Sequence, residues 1–105
     1  MSEWGGLWIG LADVIAVDAQ APITGVGAFV NVVAHAENRQ LFEQIVAEAA
    51  ASIHLSLIGV EDVEPLETRL AAYTVDAETM QAAVDARTLR TAVFATFHTY
   101  PNFDA

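Results

Sequence analysis

The segment from Leu7 to Val17 is apolar at nearly every position, and Asp13 is the one charged residue within it. Its density of β-branched and aromatic residues predicts a β-strand. In a strand, successive side chains point to opposite faces of the sheet. Here both sets of side chains are apolar, so both faces of the strand need cover. The strand is therefore expected in the centre of a sheet.

Periodicity along the rest of the chain predicts three more strands and two helices, joined by loops. The predicted segments are a strand over 28–36, a helix over 38–51, a strand over 53–60, a short helical piece over 66–73, a helix from 76 and a strand over 91–99. Asn38 is the predicted N-cap of the first helix. Met80, Ala83 and Val84 form the predicted inward stripe of the second helix. Pro65 predicts that no central strand continues through the acidic stretch after the third strand.

The order strand, strand, helix, strand, helix, strand predicts one α+β domain over residues 1–105. The expected architecture is a two-layer sandwich, with a four-stranded, mostly antiparallel sheet and both helices on one face. In its elements it resembles the ferredoxin-like class, in which a helix normally follows the first strand. The chain is therefore expected to have either a variant of that topology or a short helix near Pro22.

Composition adds a second constraint, because the chain carries more apolar residues than an average domain. Hydrophobic residues make up 54% and charged residues 17% of the chain, against about 45–50% and about 25% on average. If both helices cover one face of the sheet, large apolar side chains are left on the other. These side chains are Trp8, Val14, Phe29, Val33 and Phe94. Such a face predicts a homodimer in which two sheet faces pair.

The charge balance limits the partners. Acidic residues number 14 against four arginines and no lysine, which gives a net charge of -10. Nucleic-acid binding is not expected, because it depends on clustered cations, whereas a basic protein partner is compatible with the acidic surface. The first apolar run is too short to cross a bilayer and has no cation before it. We therefore predict no membrane association and a cytoplasmic location, and no cofactor is assigned.

The three histidines are the candidate functional residues, because each falls on a different predicted strand and shares its face with a polar neighbour. The candidate functional face comprises Asn31, His35, His54, Ser56, Thr96 and His98. Val30, Leu55 and Phe97 mark the opposite face, which is assigned to the helices. Converging imidazoles would bind a transition metal or act as acid–base groups. However, alternation alone places polar residues on the less buried face, so a structural role is favoured and no metal ligand is assigned.

Three stretches resemble small stand-alone bacterial domains of unknown function. They are Gly27–Val32, Val60–Leu66 and Thr96–Tyr100. The resemblance implies no activity, and no motif in the chain defines a reaction. The sequence therefore supports a non-enzymatic, homodimeric binding or interaction protein that uses an apolar open sheet face. The alternative is a small enzyme or a ligand- or metal-binding protein with a histidine-lined cleft at the dimer interface.

Overall fold

The computed structural model describes residues 3–100, which form five strands and three helices. In chain order they are β1 (Leu7–Ala16), β2 (Gly27–His35), α1 (Arg39–Ser52), β3 (Leu55–Pro65), α2 (Leu66–Ala72), α3 (Ala77–Leu89), β4 (Val93–Phe94) and β5 (His98–Tyr100). Among these residues, no helix is long and apolar enough to span a membrane.

All strand pairs in the sheet are antiparallel, and β1 lies between β3 and β2. β4 and β5 both pair with the other side of β2, so together they act as one interrupted outer strand. The prediction of a central first strand is confirmed. The loop over 17–26 contains no helix, so β1 and β2 form a hairpin. The chain has the variant order, and the order usual in the ferredoxin-like class is not found.

The two faces of the sheet are buried by different helices. On one face, which we call the α1 face, Val14, Val30 and Val32 pack with Phe42 and Val46 of α1. On the other, which we call the α2–α3 face, the buried cluster draws on the opposite sides of β1 and β2 and on both later helices. Its members are Leu7, Ile9, Val33, Leu66, Ala82, Ala83 and Ala86. The helices therefore cover both faces, and the predicted placement on one face is not found.

The physical reason is the position of the outer strands. β3 lies at one edge of the sheet and β4 at the other, so the chain between them must cross the whole sheet. Because α1 already packs on one face, α2 and α3 make that crossing on the opposite face.

The predicted set of exposed apolar side chains also changes. Trp8 pairs with Ala34 in the sheet register, and both Trp8 and Phe94 pack against the cluster on the α1 face, to which Val14 also belongs. Only Phe29 and Val33 lie on the opposite face, and Val33 is buried against the cluster of α2 and α3.

The helices lie close to where the sequence patterns predict them, but the buried side of α3 differs from the predicted one. The Asn38 cap is confirmed, since its Oδ1 accepts a hydrogen bond from the backbone N–H of Leu41 at 2.9 Å. In α3, the buried residues are Thr79, Ala82, Ala83 and Ala86. Of the predicted stripe, Ala83 is buried, whereas Met80 and Val84 are only half-buried. The fully buried stripe consists of smaller side chains, which allow α3 to lie close to β2.

Two strand boundaries differ from the prediction. β3 continues to Pro65, because β3 is an edge strand and its last residue needs no backbone N–H for the ladder. The last strand is interrupted over 95–97, so its alternation changes there. Val93 packs with the α2–α3 cluster and Phe97 with the α1 cluster, although simple alternation predicted one face for both.

Candidate functional site

One end of the α2–α3 face has no helix over it. α2 begins where β3 ends, opposite Trp8, and both helices stay at the end of the face that holds Leu7 and Val33. At the other end, Phe29 is 41% and Ile58 is 58% exposed. A Cβ added at Gly59 would meet nothing within 4 Å. We call this uncovered end the open patch. It comprises Asp13, Ile15, Phe29, Ser56, His98 and Tyr100, together with the exposed Ile58, which has no partner in the register because the pairing of β1 with β3 shifts there.

Tyr100 organises the centre of the open patch. Its hydroxyl donates a hydrogen bond to Oδ1 of Asp13 at 2.8 Å, and its ring lies 5.5 Å from the ring of Phe29, centroid to centroid. Burial, together with the hydrogen bond and charge of Asp13, raises the pKa of the Tyr100 phenol. The one carboxylate of β1 is thus held by a neutral hydroxyl group.

Gly27 makes this arrangement sterically possible. A Cβ at position 27 would lie 2.6 Å from Cζ of Tyr100 and 2.7 Å from the carbonyl oxygen of Val14. The Tyr100 ring therefore lies against a backbone that has no side chain at this point.

The outer edge of β3 is poorly suited to pairing with another strand. Its register with β1 shifts twice, Asp62 has a positive φ of 53°, and the strand ends in Pro65. In addition, the carbonyl oxygen of Asp62 accepts a hydrogen bond from Nη2 of Arg69 at 2.7 Å. Bulges, charges and proline are features that protect edge strands from association. Contact with another chain is therefore expected on the face of the sheet.

Separate from the open patch is a concave region between β3, α2 and the start of α3, which we call the polar groove. Its volume is about 470 Å³, and Ile9 and Asn31 contribute to its lining from the sheet. Nε of Arg69 donates to Oε2 of Glu64 at 3.0 Å. Both of these side chains are largely shielded, with exposures of 17% and 27%.

A buried polar pair joins the groove to the sheet. Nδ2 of Asn31 donates to Oγ1 of Thr79 at 3.3 Å, and Thr79 is the one buried polar residue among residues 3–100, at 1% exposure. The hydrogen bond from Thr79 lowers the pKa of Asp76, the N-cap residue of α3. Thr79, Asn31 and Asp76 thus provide a hydroxyl, an amide and a carboxylate group in the lining of the polar groove.

The six candidate residues of the sequence do not form one site. Ser56 and His98 lie in the open patch and Asn31 lines the polar groove. His98 pairs with Phe29, six residues along β2 from His35, a separation of about 20 Å. The convergence of histidines that the alternative hypothesis requires is not found between these two strands.

The remaining candidates are His35, His54 and Thr96. His35 is at the end of β2, and its Nε2 is buried with no hydrogen-bond partner among the described residues. His54 follows α1 in a left-handed conformation, with its Nδ1 3.1 Å from Oδ2 of Asp18. The pKa of Asp18 is lowered, first by the backbone N–H of Gln20 and then by His54. Thr96 lies exposed between β4 and β5.

Sequence reasoning missed most of the polar groove, naming only Asn31. One signal was present: Thr79, Ala82, Ala83 and Ala86 have the i, i+3, i+4, i+7 spacing of a buried helix stripe. The small side chains of this stripe indicate that the helix packs closely against its neighbour. The hydroxyl group of Thr79 within the stripe indicates that this neighbour offers a polar partner. Arg69 and Glu64 had no comparable signal, since they come together only through the turn between β3 and α2.

Within residues 3–100, no group of three or more histidine, cysteine or acidic residues is arranged to hold a metal ion. No protein-family model, curated protein or solved structure matches this chain.

Proposed function

We propose that the protein is a non-enzymatic interaction protein that forms a homodimer through the open patch. The observation that carries this proposal is the 41% exposure of Phe29 on a sheet face that is buried elsewhere by α2 and α3, together with the 58% exposure of Ile58 at the register shift of β3. Apolar groups that lie together on an otherwise polar surface favour association.

Charge supports a second copy as the occupant. Each chain carries a net charge of -10, so two copies repel each other wherever acidic surfaces approach. The open patch contains one carboxylate, that of Asp13, which is hydrogen bonded to Tyr100. β2 and β5 contain no acidic residue, nor does β3 before Glu61. This end of the sheet is therefore where two copies approach with little repulsion.

The size of the patch sets the expected affinity. A stable interface buries about 800 Å² on each partner, which is more than a few exposed apolar side chains supply. Pairing must then extend across the whole uncovered end of the sheet, including Ser56 and His98. We expect a dissociation constant on the order of 10 μM.

Salt dependence gives the decisive experiment. Sedimentation equilibrium at about 0.05 M and about 0.5 M NaCl measures dimerisation with and without screening of the charges. Because the contact is apolar and the net charges repel, the dimer should become tighter at high salt. A monomer at about 100 μM under both conditions would overturn the proposal.

A variant in the patch locates the contact. Burying an isoleucine fully contributes about 1.5–3 kcal/mol, and Ile58 retains 58% of its exposure. Ile58→Gln should therefore cost about 2–3.5 kcal/mol per dimer, which raises the dissociation constant about 30- to 300-fold. Leu89→Gln is the matched control, because Leu89 is 63% exposed on α3, outside the patch. If Ile58→Gln and Leu89→Gln raise the dissociation constant equally, the dimer contact does not lie in the open patch.

A basic protein partner is the competing occupant of the acidic surface, and it has the opposite salt dependence. Its binding to a chain of net charge -10 would weaken as salt increases. The basic partner and the cytoplasmic location stay predictions. The histidine-lined cleft is not retained, because His35 and His98 lie about 20 Å apart along the sheet and the ring of His54 is hydrogen bonded to Asp18.

A further inference from the structure

We propose that the polar groove binds a small organic amine, with its ammonium group on the carboxylate wall between Glu64 and Asp76. This inference is independent of the dimer, since the groove lies beside α2 and α3 and the open patch lies beyond them.

The groove has the form of a small-molecule site. Its volume of about 470 Å³ falls within the range of about 300–1,000 Å³ that is typical of ligand pockets. Ile9, which is 1% exposed, lies at its base. Such pockets combine an apolar floor with a few convergent polar groups, and here the half-buried Asn31 and the buried Thr79 provide polar groups at the sheet.

The polar groups are held in place before any ligand arrives. Arg69 donates one hydrogen bond to Glu64 and another to the carbonyl oxygen of Asp62. Asn31 donates to the buried hydroxyl of Thr79. Because both walls are fixed by contacts between β2, β3, α2 and α3, little conformational entropy would be lost when a ligand binds.

The charge of the lining selects the ligand. The residues that line the groove include three acids, Asp62, Glu64 and Asp76, and one arginine, Arg69, which leaves two net negative charges. Glu64 directly compensates Arg69, with 3.0 Å between Oε2 and Nε. Asp76 is ionised near neutral pH, as an aspartate with an ordinary pKa would be, and its pKa is lowered further. A cation is therefore attracted, and a phosphate or carboxylate ligand would meet net repulsion.

The arrangement favours an ammonium group over a metal ion. No group of three acidic or histidine residues that could hold a metal occurs among residues 3–100. An ammonium group has three N–H donors and can use acceptors that are spread along a wall. The hydroxyl groups of Tyr73 and Thr74 also line the groove and suit an amine that carries further polar groups.

Titration followed by amide NMR spectra tests the inference with three probes: butane-1,4-diamine, glycine and acetate. We expect the diamine to bind in the millimolar range or tighter and to shift the amide signals of the groove residues. Glycine and acetate should bind at least about tenfold more weakly, because neither carries net positive charge. Absence of diamine binding, or tighter binding of acetate, would overturn the proposal.

Charge variants then locate the ammonium group. Asp76→Asn removes one charge, and because the Asp76 side chain makes no capping hydrogen bond to α3, the helix should stay intact. It should weaken diamine binding about tenfold, the effect of losing a hydrogen bond to a charged group. Glu67→Gln removes the same charge from the exposed first turn of α2, outside the groove. Its effect should stay below about twofold, and equal losses in both variants would indicate only a diffuse charge effect.

The outcome is separable from that of the dimer proposal. Ile58→Gln should leave diamine binding unchanged, and Asp76→Asn should leave sedimentation unchanged. Higher salt should weaken diamine binding and strengthen the dimer. Either proposal can therefore fail while the other holds.

Discussion

Gly27 is the position at which the packing of the open patch is most sharply tested. An alanine Cβ there would lie 2.6 Å from Cζ of Tyr100 and 2.7 Å from the carbonyl oxygen of Val14. Ordinary contact between such atoms requires about 3.5–4.0 Å. The Tyr100 ring can move away only by weakening its bond to Asp13. The carbonyl of Val14 belongs to the central strand and has less room to move.

The cost of Gly27→Ala follows from these contacts. Overpacking of this kind costs about 1–3 kcal/mol, and loss of the partly exposed hydrogen bond between Tyr100 and Asp13 adds about 1 kcal/mol. The reduced entropy of the unfolded chain returns about 0.4–1 kcal/mol. We therefore expect the free energy of unfolding to fall by about 1–3.5 kcal/mol.

Urea unfolding, followed by the fluorescence of the two tryptophans, measures this change. Gly59→Ala is the matched control, because its new Cβ would meet nothing within 4 Å, and it should be neutral or up to about 1 kcal/mol more stable. In a chain that already carries Tyr100→Ala, Gly27→Ala should cost less than in the unchanged chain, because the ring that the new Cβ would meet is absent. If Gly27→Ala is as stable as Gly59→Ala, the packing of Tyr100 across β2 is refuted.

Three further predictions concern single side chains. Asn38→Ala should lower the free energy of unfolding by about 1 kcal/mol, because it removes the cap of α1; Asn38→Asp, which keeps the cap, should not, as urea unfolding will show. Since the folded-state pKa of Tyr100 is raised, its contribution to stability is present below pH of about 10 and is lost at higher pH; unfolding of Tyr100→Phe should depend less on pH above about 10. Since the folded-state pKa of Asp76 is lowered, its contribution is present above pH of about 4 and is lost as pH falls. Acid titration of Asp76→Asn should accordingly show a shallower loss, and an unchanged slope would contradict this account.

The candidate site could be predicted only in part. Ser56 and His98 were placed on an exposed sheet face, and both lie in the open patch. His54 was assigned to a strand but lies in the turn after α1, so its predicted neighbours do not surround it. The polar groove was not predicted, because its charged pair forms only where β3 passes directly into α2. Arg69 and Glu64 are five residues apart and meet only because β3 ends directly before α2.

The sequence by itself determined the local features of the fold. Alternation separated Val30 and Val32 from Asn31 and Val33 correctly, and helical spacing with the Asn38 cap located α1. Both signals arise from the geometry of neighbouring residues, with periods of 2 and 3.6, and need no knowledge of distant contacts.

Only the tertiary structure decided which surfaces remain open. Whether α2 and α3 join α1 on one face depends on where β3 and β4 pair, and strand pairing joins residues far apart in the chain. β3 and β4 lie at opposite edges, so α2 and α3 cross the second face and bury Val33 while leaving Phe29 exposed. The same crossing creates the polar groove at one end of that face and leaves the open patch at the other.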